Sequence, residues 1–263
     1  MTRYVSLYGF LFLSHLKSML EYKASFWLSF LSMIATTGAG LVTIGVVFTH
    51  VEEIAGWTFP ELFFLYALSI IGMSFHHAFT NSVIYLDENI RDGTFDQFLC
   101  LPVNTLFYLV ARRYTPLGLG NLVVGIVYLV VAARIAGIDW GVANLLFLVV
   151  VVVSGNAIWF AIMLFIGTAS FWVTRTHSVC SLVISIYELT RYPLSIYGLP
   201  LRGLLTFILP YAFVAYYPAL FLLGKKEAGS EWGLLSPLVA VVLVLVSYQF
   251  WKQGIRSYRG TGS

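Results

Sequence analysis

Charge is scarce in this chain: 15 Lys and Arg with 12 Asp and Glu make 10 % of 263 residues. A soluble domain carries about 25 %, so a water-soluble globular fold is excluded. Cysteine is scarcer, with Cys100 and Cys180 alone. Two thiols form neither a disulfide framework nor a metal-ligand spacing. Strand-length alternation of apolar and polar residues is missing, which excludes a membrane barrel. No Gly-x-x-x-x-Gly-Lys-Ser/Thr loop occurs, because Gly224-Lys225 has neither the earlier glycine nor the following hydroxyl. His-Glu-x-x-His and Gly-x-Ser-x-Gly runs are absent too. The apolar stretches hold too few carboxylates for a chain of titrating groups. ATP hydrolysis and proton coupling within this chain are thereby excluded, and energy must come from a partner.

What is present is apolar: 59 % hydrophobic and 17 % aromatic, with a mean hydropathy of +0.87. The composition predicts an all-α polytopic membrane protein, one domain over residues 1–263, with membrane lipid as its surroundings. The net charge of +3 gives no reason to expect a nucleic-acid partner. Basic residues are topology signals instead. The apolar run Tyr4 to Leu13 has no small-residue cleavage site after it, so no cleavable signal is expected.

The densest charge is in Asp87 to Pro102, where Asp87, Glu88, Arg91, Asp92 and Asp96 fall within ten residues between two long apolar runs. Such a cluster belongs in water. Gly93 breaks the run, and Thr94 is placed to cap a short helix over Phe95, Asp96, Gln97, Phe98 and Leu99. The apolar members make that helix amphipathic. It is either a docking knob for a partner or a solvated loop with an interfacial turn.

The run Ile90 to Pro102, IRDGTFDQFLCLP, resembles the cytoplasmic loop of ABC-2 type exporter permeases. Tyr192-Pro193-Leu194-Ser195-Ile196-Tyr197, Ile208-Leu209-Pro210-Tyr211-Ala212-Phe213 and Tyr216-Tyr217-Pro218-Ala219 resemble one bacterial branch of them, of about this size. The resemblance covers nearly the whole chain. It implies that residues 87–103 are a coupling loop docking on a separate ATPase subunit, which holds the ATP and Mg. Asp87, Glu88, Arg91, Asp92, Gly93, Thr94, Phe95, Asp96 and Phe98 would carry that contact. It further implies a second permease subunit, identical or related, export as the direction, and a bacterial plasma (inner) membrane with both termini cytoplasmic.

Residues 5–22 are too short and too polar at their end to span. Ser14, Lys17, Ser18 and Glu21 form one wet face, which predicts an interfacial elbow helix. The first span, about Ala24 to Phe48, carries Ser25, Ser29, Ser32, Thr36, Ala39 and Thr43 as a small-residue stripe. Small residues let helices approach closely in a membrane, either at a subunit or pathway interface or within the subunit. The second span, about Glu61 to Leu86, holds His76, His77 and Asn81. His77 and Asn81 share a helical face. They are either hydrogen-bonded bundle groups or a substrate or proton site. The third span is predicted over about Thr105 to Ala133, with Arg112 and Arg113 snorkelling at its start, and the fourth over Val142 to Val173, with Asn156 buried in it.

The fifth span starts near Ser178 and carries Glu188 and Arg191, three apart and able to pair. With Tyr192 they are expected near an outer gate. Pro193, Pro200, Pro210 and Pro218 follow, half of the chain's eight prolines. Proline breaks the helix ladder, and broken backbone at membrane depth survives only under protein or water. Residues 200–223 therefore read as a re-entrant helical hairpin before a last span over about Leu234 to Trp251. That arrangement has six transmembrane helices and puts ten Lys and Arg inside against five outside, where a full crossing at 203–223 gives nine against six. The expected pathway or gate residues are Ser29, Ser32, Thr36, His77, Asn81, Glu188, Arg191 and Tyr192. A different class of function, an intramembrane lipid-modifying enzyme, would need His76, His77 and Glu188 to converge as acid-base groups.

Overall fold

Helix α2 (Phe59–Phe75) is the axis of the molecule. Its sequence is apolar on every side, so it is buried on every side. It starts at Thr58, whose amide donates to Glu61 Oε2 at 2.8 Å, one half of a capping box. Pro60 stands in the first turn, where no N–H is needed. The computed structural model describes residues 9, 23–115, 117–173 and 175–260. The elbow helix expected over 5–22 lies outside these residues, Gly9 apart.

Among the described residues five helices are long and apolar enough to cross a membrane. They include α1 (Lys23–Phe48), α2 with its continuation to Arg91, α6 (Leu117–Ile135), α7 (Val142–Thr168) and α11 (Ser236–Ser257). Short helices α3 (Leu86–Arg91), α4 (Thr94–Leu99) and α5 (Thr105–Arg112) connect α2 to α6. The fold is all-α and polytopic.

The third span departs from expectation. A continuous helix from Thr105 was expected, but α5 stops at Arg112 and Arg113 is extended. The spanning helix begins only at Leu117. Two adjacent arginines keep this segment out of the apolar layer. Pro116 further removes an N–H and disfavours helix at Thr115.

The fifth crossing is also irregular. Helix α8 (His177–Tyr187) has eleven residues and tightens into a 3₁₀ turn over Glu188–Arg191. Its first amide bonds to Asp87, at one end of the bundle. By Ser195 the chain lines a cavity with Gly56 and Lys225, at the Glu61 end. Among the described residues this short segment therefore runs from one end of the bundle to the other beside the five long helices.

The proline-rich region is a re-entrant hairpin. Segments Leu199–Ile208 and Tyr211–Leu222 meet at 74°, and they contain α9 (Leu199–Gly203) and α10 (Tyr216–Leu222). Val214 at the tip packs on Gly72 and Gly155, which have no side chain to obstruct it. Tyr211 meets Trp159 and Tyr187 at ring-centroid distances of 5.1 and 4.9 Å. Arg202 on the way in and Lys225 on the way out line one cavity, so the chain enters and leaves at the Glu61 end. Lys225 closes this end by donating to both Glu61 oxygens, at 2.9 and 3.0 Å, and to the Gly56 carbonyl at 2.8 Å. Helix α11 then runs beside α7, with Phe250 stacked on Phe165 at 4.5 Å and Gly254 against Phe171 and Thr168.

Candidate functional site: a polar groove and the loop at its inner end

Helix α2 is interrupted by one side chain. Asn156 of α7 accepts from the Phe75 amide at 3.0 Å and donates to the Ile71 carbonyl at 3.3 Å. An uninterrupted helix would pair those two groups with each other. Inserting an amide between them is a recognised cause of a helix break. Beyond it the chain widens to a π turn over His76–Thr80 and then tightens to 3₁₀ over Asn81–Tyr85. Thr115 donates its amide to the Ala78 carbonyl at 3.0 Å, and Gly118 lies directly on the Ala78 backbone. The broken segment is thus covered by protein, as a membrane interior requires.

Beside this break lies a groove of about 690 Å³. It takes Ser29, Ser32 and Thr36 from α1, His77 and Asn81 from the break, Asn121 from α6 and Arg191 from the 3₁₀ turn. Six of the eight residues expected in a pathway or gate meet here, although four separate segments supply the lining. His77 and Asn81 share it even though they do not sit on a regular α-helix. Glu188 does not line it; it binds Arg191, with Arg191 Nη2 donating to Oε1 at 2.7 Å. Tyr192 packs against the main core instead. The Arg191 guanidinium also lies 5.6 Å from the Tyr66 ring centroid, and the Tyr66 hydroxyl donates to the Thr37 carbonyl at 2.7 Å. Those contacts hold three groove walls together. Asn121 was overlooked in the sequence; a lone amide in the otherwise apolar start of α6 is the signal that marks it.

On α1 most of the small-residue stripe faces away from the rest of the subunit, while Ser29 is half-buried. Ser32, Thr36, Ala39 and Thr43 are exposed, while Met33, Gly38, Leu41 and Ile44 turn inward. Among the described residues nothing covers the groove along that side of α1.

Of the three groups an enzyme would need, only His77 lines the groove. His76 is fully buried, stacked on Trp159 at 5.2 Å with its Nδ1 2.7 Å from Thr80 Oγ1. Glu188 is engaged with Arg191. Among the described residues no group of three or more His, Cys, Asp or Glu could hold a metal.

The loop after α2 is anchored from within. Asp87 is 2 % exposed, not in water as its charge suggests. Its Oδ1 accepts from the Glu88 amide at 2.9 Å and its Oδ2 from the His177 amide at 3.1 Å. Gly93, at φ 68°, makes the left-handed turn between α3 and α4 and is itself the cap, so Thr94 is not. The apolar face of α4 points into the protein. Phe95 sits among Phe171, Trp251 and Tyr258, at centroid distances of 5.2, 6.2 and 5.0 Å. Phe98 is buried beside it and packs on Tyr108 at 5.1 Å. Asp96 accepts from the Tyr258 hydroxyl at 2.7 Å. Burial, and next that hydrogen bond, push Tyr258 up to about 12. Arg91, Asp92, Gln97, Leu99, Cys100 and Leu101 remain on the outside, while Glu88 and Thr94 are half-buried. The face open to a partner is thus smaller than the motif, because its aromatics serve as roots.

A profile of the ABC-2 family, described as ABC-2 family transporter protein, matches residues 33–262. The chain belongs to that family. No curated protein matches it significantly. The permease therefore has the polytopic helical architecture its composition predicts, and it is a transporter membrane subunit, not itself an enzyme. The family match runs from Met33 of α1 past α11. It includes the break in α2, the loop, the hairpin and most of the groove lining; Ser29 and Ser32 precede it.

Proposed function

We propose that this permease is driven by a separate ATPase subunit docking on residues 87–103, and that the driven movement exports a substrate through the polar groove. One observation carries the reading: the loop has an exposed polar face and an aromatic face rooted in several spans. A push on Arg91, Asp92 or Gln97 is delivered through Phe95 to the ends of α7 and α11, and through Asp87 to the start of α8. Helix α8 leads to Arg191, which lines the groove. Force applied at the loop therefore has a packed route to the groove wall, and the break in α2 lies between them. ATP and Mg are held by the ATPase.

A second permease subunit, identical or related, covers the open side of α1 and completes the pathway. The membrane is the bacterial plasma membrane, the Asp87 end faces the cytoplasm, and both termini lie there. The test is co-expression with a candidate ABC ATPase subunit, followed by ATP hydrolysis and transport in membrane vesicles. Charge reversal at Asp92 should abolish the permease's stimulation of hydrolysis. Unchanged stimulation and unchanged co-purification would remove the docking site from this loop.

A further inference from the structure

Arg112 and Arg113 take no part in the groove and are not among the residues assigned to the ATPase contact. On an uninterrupted helix adjacent side chains diverge by about 100°. Here α5 ends at Arg112 and Arg113 is extended, at φ −127° and ψ 109°. Both arginines therefore line one cavity of about 240 Å³, with Ser82, Tyr85, Asn89 and Leu109. Arg112 Nη1 donates to Asn89 Oδ1 at 3.2 Å. The Arg113 guanidinium lies 3.9 Å from the Tyr85 ring centroid, and that of Arg112 lies 5.0 Å from the Phe98 ring. These contacts orient both guanidiniums without neutralising either. Among the described residues the ion pairs are Glu188–Arg191 and Glu61–Lys225, so neither arginine has a carboxylate partner.

Both side chains are exposed at the cavity's mouth, and an anion between them would offset the repulsion of the two like charges. The guanidinium fork matches a phosphate with two parallel N–H···O bonds. The cavity sits where the apolar helix α6 is about to begin, at the Asp87 end, with Leu109 in its wall. That is headgroup depth, and basic pockets between spans at this depth suit anionic headgroups. We propose that this cavity binds the phosphate of an anionic phospholipid headgroup, gripped by Arg112 and Arg113, with Tyr85 and Asn89 as supports. The shared chemistry is a phosphate monoanion; the apolar wall and the neighbouring span favour the lipid over the free ion. The lipid would stand against Asn89 and Phe98, on the inner side of the loop, and would stiffen it.

The test is native mass spectrometry of the full chain released from nanodiscs containing equal phosphatidylglycerol and phosphatidylcholine. Wild type is expected to retain phosphatidylglycerol about thirtyfold over phosphatidylcholine, from two cations at headgroup depth. R112Q/R113Q should abolish the preference. R112K/R113K should weaken it, since the charges stay and the fork is lost; this variant decides the matter if the double glutamine variant does not fold. R91Q, on the exposed loop, should leave it intact. A preference that survives in both double variants overturns the proposal. So does loss of the wild-type preference on adding millimolar inorganic phosphate, which would assign the cavity to the free ion. A double variant that keeps its lipid preference but loses a co-purifying ATPase reassigns the pair to a protein contact, and also overturns it. No ATPase is present in the lipid assay, so its failure leaves the permease reading standing.

Discussion

The His177 amide donates a hydrogen bond to Asp87 Oδ2 at 3.1 Å, joining two residues ninety apart in sequence. Asp87 opens the charged loop and His177 opens the eleven-residue helix of the fifth crossing. A carboxylate here offsets the unpaired amides of the helix start. Replacing Asp87 by alanine leaves two half-buried amides without this partner, at a cost of up to about 1–3 kcal/mol each. Asp87→Asn keeps an acceptor and should cost less. Thermal unfolding in detergent should rank wild type above D87N and D87N above D87A. If D87A melts with wild type, the bond contributes nothing.

The two faces of α4 should respond differently. Phe95→Ala empties a buried aromatic site and should destabilise by about 3–5 kcal/mol. Leu99 is 43 % exposed, so Leu99→Ala should leave the melting temperature unchanged and weaken ATPase co-purification. The reverse pattern would mean that the aromatic face, not the polar face, meets the partner.

Asn156 holds the break in α2 open. Asn156→Leu removes the bridge between Phe75 and Ile71. Either those two groups stay unpaired, or they pair directly and the helix straightens. The expected loss of stability is about 1–2 kcal/mol, with transport reduced more than stability alone explains. Hydrogen exchange at the Phe75 amide separates the two outcomes. Exchange and transport both at wild-type level would show that the break does not depend on this amide.

Thr36 and Val42 are both exposed on α1, but only Thr36 lines the groove. Thr36→Trp should fill it and reduce transport about tenfold or more while the protein folds and binds its ATPase normally. Val42→Trp should be silent. Equal transport by T36W and wild type would move the pathway elsewhere.

The Tyr258–Asp96 bond should not respond to pH in the neutral range. The Tyr258 hydroxyl is held at about 12 against an ordinary 10.0. A raised value means that folding favours the protonated form, so its contribution is complete below the ordinary value. It is lost only as pH rises through about 12. Tyr258→Phe should loosen α4 equally at mildly acidic and mildly basic pH, read as faster hydrogen exchange at Asp96 and Gln97. A loosening that grows toward neutral pH would implicate a different group.

Much of this was legible in local pattern. Apolar runs give spans, since length and hydropathy suffice. The proline crowding at 193–218 marked the hairpin, and the spacing of Glu188 and Arg191 marked their pair. The charged loop was visible, but its inside and outside were not. Charge alone puts Asp87 in water; the neighbouring Glu88 amide and the His177 amide, ninety residues away, hold it inside the protein. Phe95 looked like a partner's anchor, and its site is made by Phe171, Trp251 and Tyr258, far along the chain. In the sequence Arg112 and Arg113 are a snorkelling pair at the start of one helix; only the extended backbone at Arg113 brings both to the cavity with Asn89 and Tyr85.

By itself the order of residues determined that this chain lives in a bilayer, where its long spans lie, and where its wet loop falls. Those are properties of short windows, set by transfer free energy and backbone chemistry. Tertiary structure alone decided which polar residues meet, for a groove assembled from four segments has no signature in any one of them. It also decided where α2 gives way, because the amide that opens it belongs to another span.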